Sequence, residues 1–149
     1  SMENRFQDQN YTLSFFRTNV QVVCKGCGKA ALAQVNYEEK KARLHCSSCG
    51  YSKIIDSKIT WFGVNAYFEV AAHEYFDAKL WYEAPFRNEI FRAYNEEHLL
   101  YLEAYISAKL REHKDRLHFT LLEKLPRFYH DAKNRSALLK LIVKLKNKR

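Results

Sequence analysis

Residues 24–50 read CKGCGKAALAQVNYEEKKARLHCSSCG. The stretch holds all four cysteines of the chain, as two C-x2-C pairs, Cys24/Cys27 and Cys46/Cys49, with eighteen residues between the pairs. A thioredoxin-like redox site uses one such pair, not two. Disulfides are also disfavoured, because 149 residues, 47% hydrophobic and 15% aromatic, can build a core without them. The spacing C-x2-C-x18-C-x2-C falls in the window of a zinc site. Two residues between thiols let a tight turn aim both sulfurs at one point. Gly26, Gly28 and Gly50 are expected to supply the unusual backbone angles of those turns.

Four thiolates fill a tetrahedral Zn2+ site and leave no position for water or substrate, so one structural zinc per chain is expected. Iron could take the same ligands and is the lesser expectation. Four negative sulfurs and one dication sum to −2, so the formal net charge of +8 becomes +6 in the loaded protein.

Around the cysteines the apolar residues recur with a period of two. Val20, Val22 and Val23 lead into the first pair. Ala31, Ala33, Val35 and Tyr37 follow it, and Ala42, Leu44 and Cys46 return after a charged tip at Glu38-Glu39-Lys40-Lys41. Ser52-Lys53-Ile54-Ile55 reads as one more strand. This order of knuckle, hairpin, knuckle and strand resembles the zinc-ribbon superfamily over about residues 20–55. The resemblance implies the fold and the metal, and little about function, because ribbons serve in many settings.

Residues 61–76 are aromatic: Trp61, Phe62, Tyr67, Phe68, Tyr75 and Phe76. Phe68, Ala71, Ala72, Tyr75 and Phe76 fit one helical stripe, which predicts a helix. The aromatics are expected to be mostly core, with base stacking as the functional alternative. Beyond them, Leu80-Trp81-Tyr82 and the run from Ile90 to Tyr94 predict two strands around a turn at 85–88. Asn95 is a favourable N-cap, followed by Glu96 and Glu97 in a first turn. Leu99, Leu102, Ile106 and Leu110 then mark a helix over 96–114.

Leu80, Trp81, Pro85, Ala93, Tyr94, Asn95, His98, Leu99, Tyr101, Leu102, Glu103 and Tyr105 carry a second resemblance. The stretch is similar to a family of uncharacterised bacterial zinc-ribbon proteins in which an Ala-Tyr-Asn-x-x-His-Leu motif opens a long helix. That resemblance implies a basic helical tail and no known activity. Family members often carry extra Cys and His between the Pro and the motif. Phe86, Arg87, Asn88 and Glu89 stand there in this chain, so a second metal site is not expected.

Residues 118–125 predict a short helix stopped by Pro126. A last helix, capped by Asn134, follows, with Leu138, Leu141, Ile142 and Leu145 on its buried stripe. From Lys109 onward there are 13 Lys+Arg and 4 Asp+Glu, a net +9, while the other 108 residues sum to −1. All the excess charge therefore lies in the last 41 residues, where it can neutralise phosphates or only solvate a helix. Lys133, Arg135, Lys140, Lys144, Lys146, Lys148 and Arg149 are the candidate nucleic-acid contacts, with Lys25, Lys29, Lys40 and Lys41 on the ribbon second.

Enzymatic motifs are missing. His73-Glu74 lacks the second histidine of His-Glu-x-x-His. His45 stands beside Cys46 and could substitute as a ligand, but four cysteines suffice. His98, at the third helical position, is expected to meet a backbone group or a partner. No phosphate-cradling glycine loop or nucleophile elbow is present.

Together these features predict an α+β protein. An N-terminal segment (1–18) precedes a four-cysteine zinc ribbon (19–60) that continues into a small antiparallel sheet. Residues 61–149 add a helix, a hairpin and a basic region, with about three C-terminal helices packed around the sheet. No membrane span and no signal core are seen, so the expectation is a soluble cytoplasmic protein. The expected function is non-catalytic nucleic-acid binding. The alternative is a protein–protein adaptor, in transcription or replication, docking through the ribbon and its aromatic surface.

Overall fold

The computed structural model describes residues 16–67, 69–108 and 125–149. Four expectations fall outside them wholly or in part: the segment 1–18, Phe68 of the aromatic stripe, the end of the 96–114 helix with Leu110, and the helix at 118–125. Among the described residues eight strands form in chain order: β1 (Asn19–Val23), β2 (Ala30–Asn36), β3 (Lys41–His45), β4 (Ser52–Asp56), β5 (Ile59–Trp61), β6 (Val64–Ala66), β7 (Tyr82–Phe86) and β8 (Glu89–Ala93). Two α-helices are described, α1 (Glu96–Ser107) and α2 (Arg135–Lys146), rather than about three. The class is α+β, as expected.

Strands β1 to β4 form one antiparallel sheet in sequential order. The two-residue period places Val20, Val22, Ala31, Ala33, Val35, Ala42 and Leu44 on one buried face. Cys24 and Cys46 continue that face and are buried too. A short 3-10 turn (Ala72–Phe76), with Ala78 and Leu80, covers it. The helix expected over the aromatic stretch is reduced to that turn. Ahead of it, residues 59–66 form the unexpected hairpin β5–β6, with Phe62 and Gly63 at its tip, both at positive φ (53° and 78°). Such a turn asks for Asn-Gly, and Phe in the first place hid the signal.

A second cluster lies beside the sheet. Hairpin β7–β8, helices α1 and α2, Phe16 and Phe128 bury Phe91, Leu99, Tyr101, Leu102, Leu138 and Ile142. Each such side chain contributes about 1.5–3 kcal/mol on full burial. Pro85 lies within β7, paired with Ile90, instead of in the turn. The turn is Arg87-Asn88 alone. Phe86 and Glu89, which flank it, then form the hydrogen-bonded pair, and Pro85 takes the next position, where its missing N–H is not needed.

The outer edge of β1 joins the two clusters. Gln21 N–H donates to Tyr94 O (2.7 Å), Val23 N–H to Lys79 O (2.8 Å) and Trp81 N–H to Gln21 O (2.8 Å). That edge is thereby covered, and Tyr94 packs against both clusters. Among the described residues no helix is long and apolar enough to cross a membrane.

Candidate metal centre and its surroundings

The two C-x2-C turns are built alike. In the first, Cys24 N–H donates to Lys29 O (2.8 Å) and Gly28 N–H to Cys24 O (2.9 Å). In the second, Cys46 N–H donates to Tyr51 O and Gly50 N–H to Cys46 O, both at 2.8 Å. The glycine after each second cysteine sits at positive φ, 79° at Gly28 and 82° at Gly50. A side chain there would be strained, so the motif is in effect C-x2-C-G. Gly26 differs from the expectation. It has no left-handed φ, and its N–H donates to the Cys24 sulfur at 3.3 Å. A Cβ on Gly26 would meet the sulfurs of Cys24 and Cys49 at 3.6 and 3.7 Å, ordinary contact distances.

These turns bring the four sulfurs within 4.8 Å of one another. Cys24 Sγ lies 3.7 Å from Cys49 Sγ, and Cys27 Sγ 3.6 Å from Cys46 Sγ. A tetrahedron with zinc–sulfur bonds near 2.3 Å has sulfur–sulfur edges of about 3.8 Å, so the donor set fits a four-coordinate ion. The electrostatics agree. The Cys27 backbone N–H leads in holding Cys24 down to about 7. At Cys49 the Tyr51 N–H pulls the other way, but desolvation and the three neighbouring thiols outweigh it and push the group up to about 12. Four sulfurs this close cannot all ionise on their own. A dication among them removes that conflict. The arrangement fits a zinc-ribbon-like metal site, with all four predicted cysteines brought together. His45, exposed on β3, is not part of the cluster.

The basic residues of the last helix divide into two groups. Arg135 Nε donates to Ile106 O (3.1 Å) at the end of α1. Lys146 Nζ reaches both oxygens of Glu103, at 3.0 and 2.9 Å. Lys148 Nζ donates to Trp81 O (2.7 Å) and lies 4.2 Å from the Trp81 ring centroid. Burial lowers its pKa. Those three charges fasten α2 to α1 and to the start of the β7–β8 hairpin. Lys133, Lys140, Lys144 and Arg149 are exposed, and none of them makes an ion pair among the described residues. Lys140 and Lys144, one turn apart, share a face with Val143, which is half exposed.

The Tyr-Asn-x-x-His segment turns out to be a junction. Asn95 caps α1 by accepting the His98 N–H at 2.7 Å, as expected. Its amide also donates to Phe16 O (3.2 Å) and Asn19 O (2.7 Å), which ties the chain entering β1 to the helix start. His98 is buried. Its Nδ1 accepts the Tyr94 N–H (3.0 Å), and its ring stacks on Phe16 (4.6 Å) and Tyr94 (5.4 Å). Asn134 stands before α2 but makes no capping bond. Instead its oxygen accepts from Arg87 and its amide donates to Phe128 O (3.1 Å). The sequence indicated the positions of both asparagines but not their long-range partners. His73 packs against Tyr94 at 5.9 Å, its buried Nδ1 has no hydrogen-bond partner among the described residues, and burial lowers its pKa.

Burial pushes His98 down to about 4, from an ordinary 6.5. The unfolded chain therefore binds this proton first. The stability His98 contributes is complete above pH 6.5 and is lost as pH falls through 4, up to about 3 kcal/mol. Acid also releases metal from thiolates, so the ring itself is the readout. An imidazole NMR titration is expected to place its pKa far below the ordinary 6.5 of an exposed imidazole. A His98 value near 6.5 would contradict the burial described.

No family model, curated protein or solved structure matches this chain.

Proposed function

We propose that the protein is a non-catalytic zinc-ribbon protein that binds nucleic acid through the exposed basic face of α2. The ion among Cys24, Cys27, Cys46 and Cys49 is zinc on this reading. It holds the two turns together and supplies no open coordination position. The observation that carries the reading is the division of the tail charges. Lys133, Lys140, Lys144 and Arg149 stay exposed and unpaired among the described residues, while Arg135, Lys146 and Lys148 hold their helix in place. Four cations on one helix and its flanks form a phosphate-binding surface that contacts backbone rather than base edges.

Fluorescence anisotropy with labelled single- and double-stranded DNA and RNA, titrated over salt, tests this. About four phosphate contacts predict a slope of log K against log salt near −3 to −4. The double variant Lys140→Glu, Lys144→Glu is expected to lower affinity at least tenfold and leave the melting temperature unchanged. Lys148 is unsuited to this test, because its reversal would also break the Trp81 contact. Salt-independent binding, or none at low salt, would remove the reading.

A second reading, docking to a protein partner, is favoured by one observation. Phe62 is 87% exposed at the β5–β6 tip, and Ile54, Val64 and Tyr67 are exposed as well. Phe62→Ser would then abolish partner capture, with nucleic-acid affinity unaffected.

A further inference from the structure

The two edges of the β1–β4 sheet differ. On β1 the outward-facing backbone is used, by Gln21 and Val23 with Lys79, Trp81 and Tyr94. On β4 it is not. Cys46 N–H donates to Tyr51 O and Ser57 N–H to Lys40 O, so the odd-numbered residues of this stretch face β3. By the alternation of an antiparallel ladder, the N–H and C=O groups of Ser52, Ile54 and Asp56 point away from it. Those groups have no hydrogen-bond partner among the described residues. Nothing in its shape blunts this edge. Pairing with β3 runs in step from His45↔Ser52 to Lys41↔Asp56 without a bulge, and β4 holds no proline. Ile54, at its centre, is 63% exposed. Arg43, opposite Ile54, Lys53 beside it and Lys58 just past the strand are exposed cations, and none makes an ion pair among the described residues. Asp56 is held by Lys41 at 3.6 Å.

We propose that the outer edge of β4 takes up an extended acidic peptide segment of a partner protein as a fifth strand of the sheet. A ladder of alternating N–H and C=O groups is matched by another extended backbone. Nucleic acid offers phosphates to the cations, but not donors and acceptors in that alternation. A second copy of this chain would set the same unpaired cations against one another, which is how edge strands are kept from pairing with their own kind. An acidic strand neutralises them. In such a strand the residues facing Ser52, Ile54 and Asp56 bond to the edge and place their side chains beside Ile54, which selects apolar ones. The alternate residues lie beside Lys53 and select carboxylates. One short strand makes a small contact, so the binding belongs to the weak, transient class. It uses no residue of α2 and stands whether or not nucleic acid binds there.

The test uses the full chain loaded with metal and labelled with 15N. Short capped peptides that alternate Glu with Val, Ile or Phe are titrated, with their Lys counterparts as controls. The expected result is a saturable downfield shift of the Ser52, Ile54 and Asp56 amides, larger than at Lys53 and Ile55, which already face β3. N-methylation of the apolar peptide residues, whose N–H groups meet the edge, should abolish binding, and N-methylation of the Glu residues should not. Ile54→Pro removes an N–H that β3 does not use, at a position where an edge strand accepts proline. It is expected to weaken binding at least about tenfold with the melting temperature unchanged. Lys53→Glu, at an exposed position, should weaken the Glu peptides about fivefold at low salt and strengthen the Lys peptides. The double variant Lys140→Glu, Lys144→Glu should bind the Glu peptides as before, so this edge and the α2 surface stand or fall separately. The proposal is overturned by no saturable shift with any Glu peptide at millimolar concentration, by equal shifts all along β4, or by equal binding of the Lys peptides or of those N-methylated at the apolar residues. A shift of the same amides with protein concentration alone would assign the edge to a second copy, and one with an oligonucleotide would assign it to nucleic acid. Either result overturns the proposal too.

Discussion

Chelation of the metal is expected to unfold the β1–β4 sheet. Sulfur ligands hold both ends of its central hairpin, and structural zinc contributes on the order of 10 kcal/mol to the folding of small modules. Among the described residues each cysteine turn has two backbone hydrogen bonds of its own at the cysteine, and the first gains one more tie where Lys25 Nζ donates to Phe76 O (2.9 Å). The loss should not stop at the sheet. The outer edge of β1 carries three backbone hydrogen bonds to residues 79–81 and Tyr94, so β7–β8 and α1 lose their support when β1 melts. Circular dichroism melting before and after chelation, with elemental analysis following the bound metal through its removal, measures this. Cys→Ser at any of the four positions should act likewise, including exposed Cys27 and Cys49, because the ion requires all four donors. An unchanged melt after verified removal would make the ion dispensable. Iron in the elemental analysis would keep the site and change its identity.

Asn95→Ala is expected to cost about 3 kcal/mol or more. The lost cap accounts for about 1 kcal/mol, and the buried Phe16 carbonyl, losing this donor, for about 1–3 kcal/mol more, with a smaller share from the part-buried bond to Asn19 O. At this chain length that is roughly a 10 °C fall in melting temperature. Asn95→Ser separates the two contributions. A hydroxyl can cap the His98 N–H but cannot reach both carbonyls, so it should recover only the capping part. A loss of less than about 1 kcal/mol in Asn95→Ala would show that the amide contacts hold nothing.

The metal ligands were legible because a C-x2-C turn is a local object. Two residues and a following glycine decide where both sulfurs point. The pairing of β1 to β4 was legible for a similar reason, since alternation has only one way to bury Val20, Val22, Ala33 and Leu44 together. The β5–β6 hairpin escaped because its turn carries Phe62 where Asn is usual. The helix expected from the aromatic stripe shrank to a 3-10 turn because the sheet face it covers is short, and Ala72 and Phe76 already close it.

The sequence by itself determined the four ligands, the sheet that presents them, the cap at Asn95 and the excess of charge in the tail. Each cysteine pair, each strand and the cap follow from residues within a turn or a strand of one another, and the charge excess is a matter of composition. Only the tertiary structure decided which charges remain available. Lys146 meets Glu103 across 43 residues and Lys148 meets Trp81 across 67, and no local pattern encodes either contact. The same holds for His98, whose burial between Phe16 and Tyr94 depends on the chain before β1 closing over the start of α1. Periodicity reports which face of an element is buried. What that face, or a lysine beside it, is buried against is set by how distant elements pack.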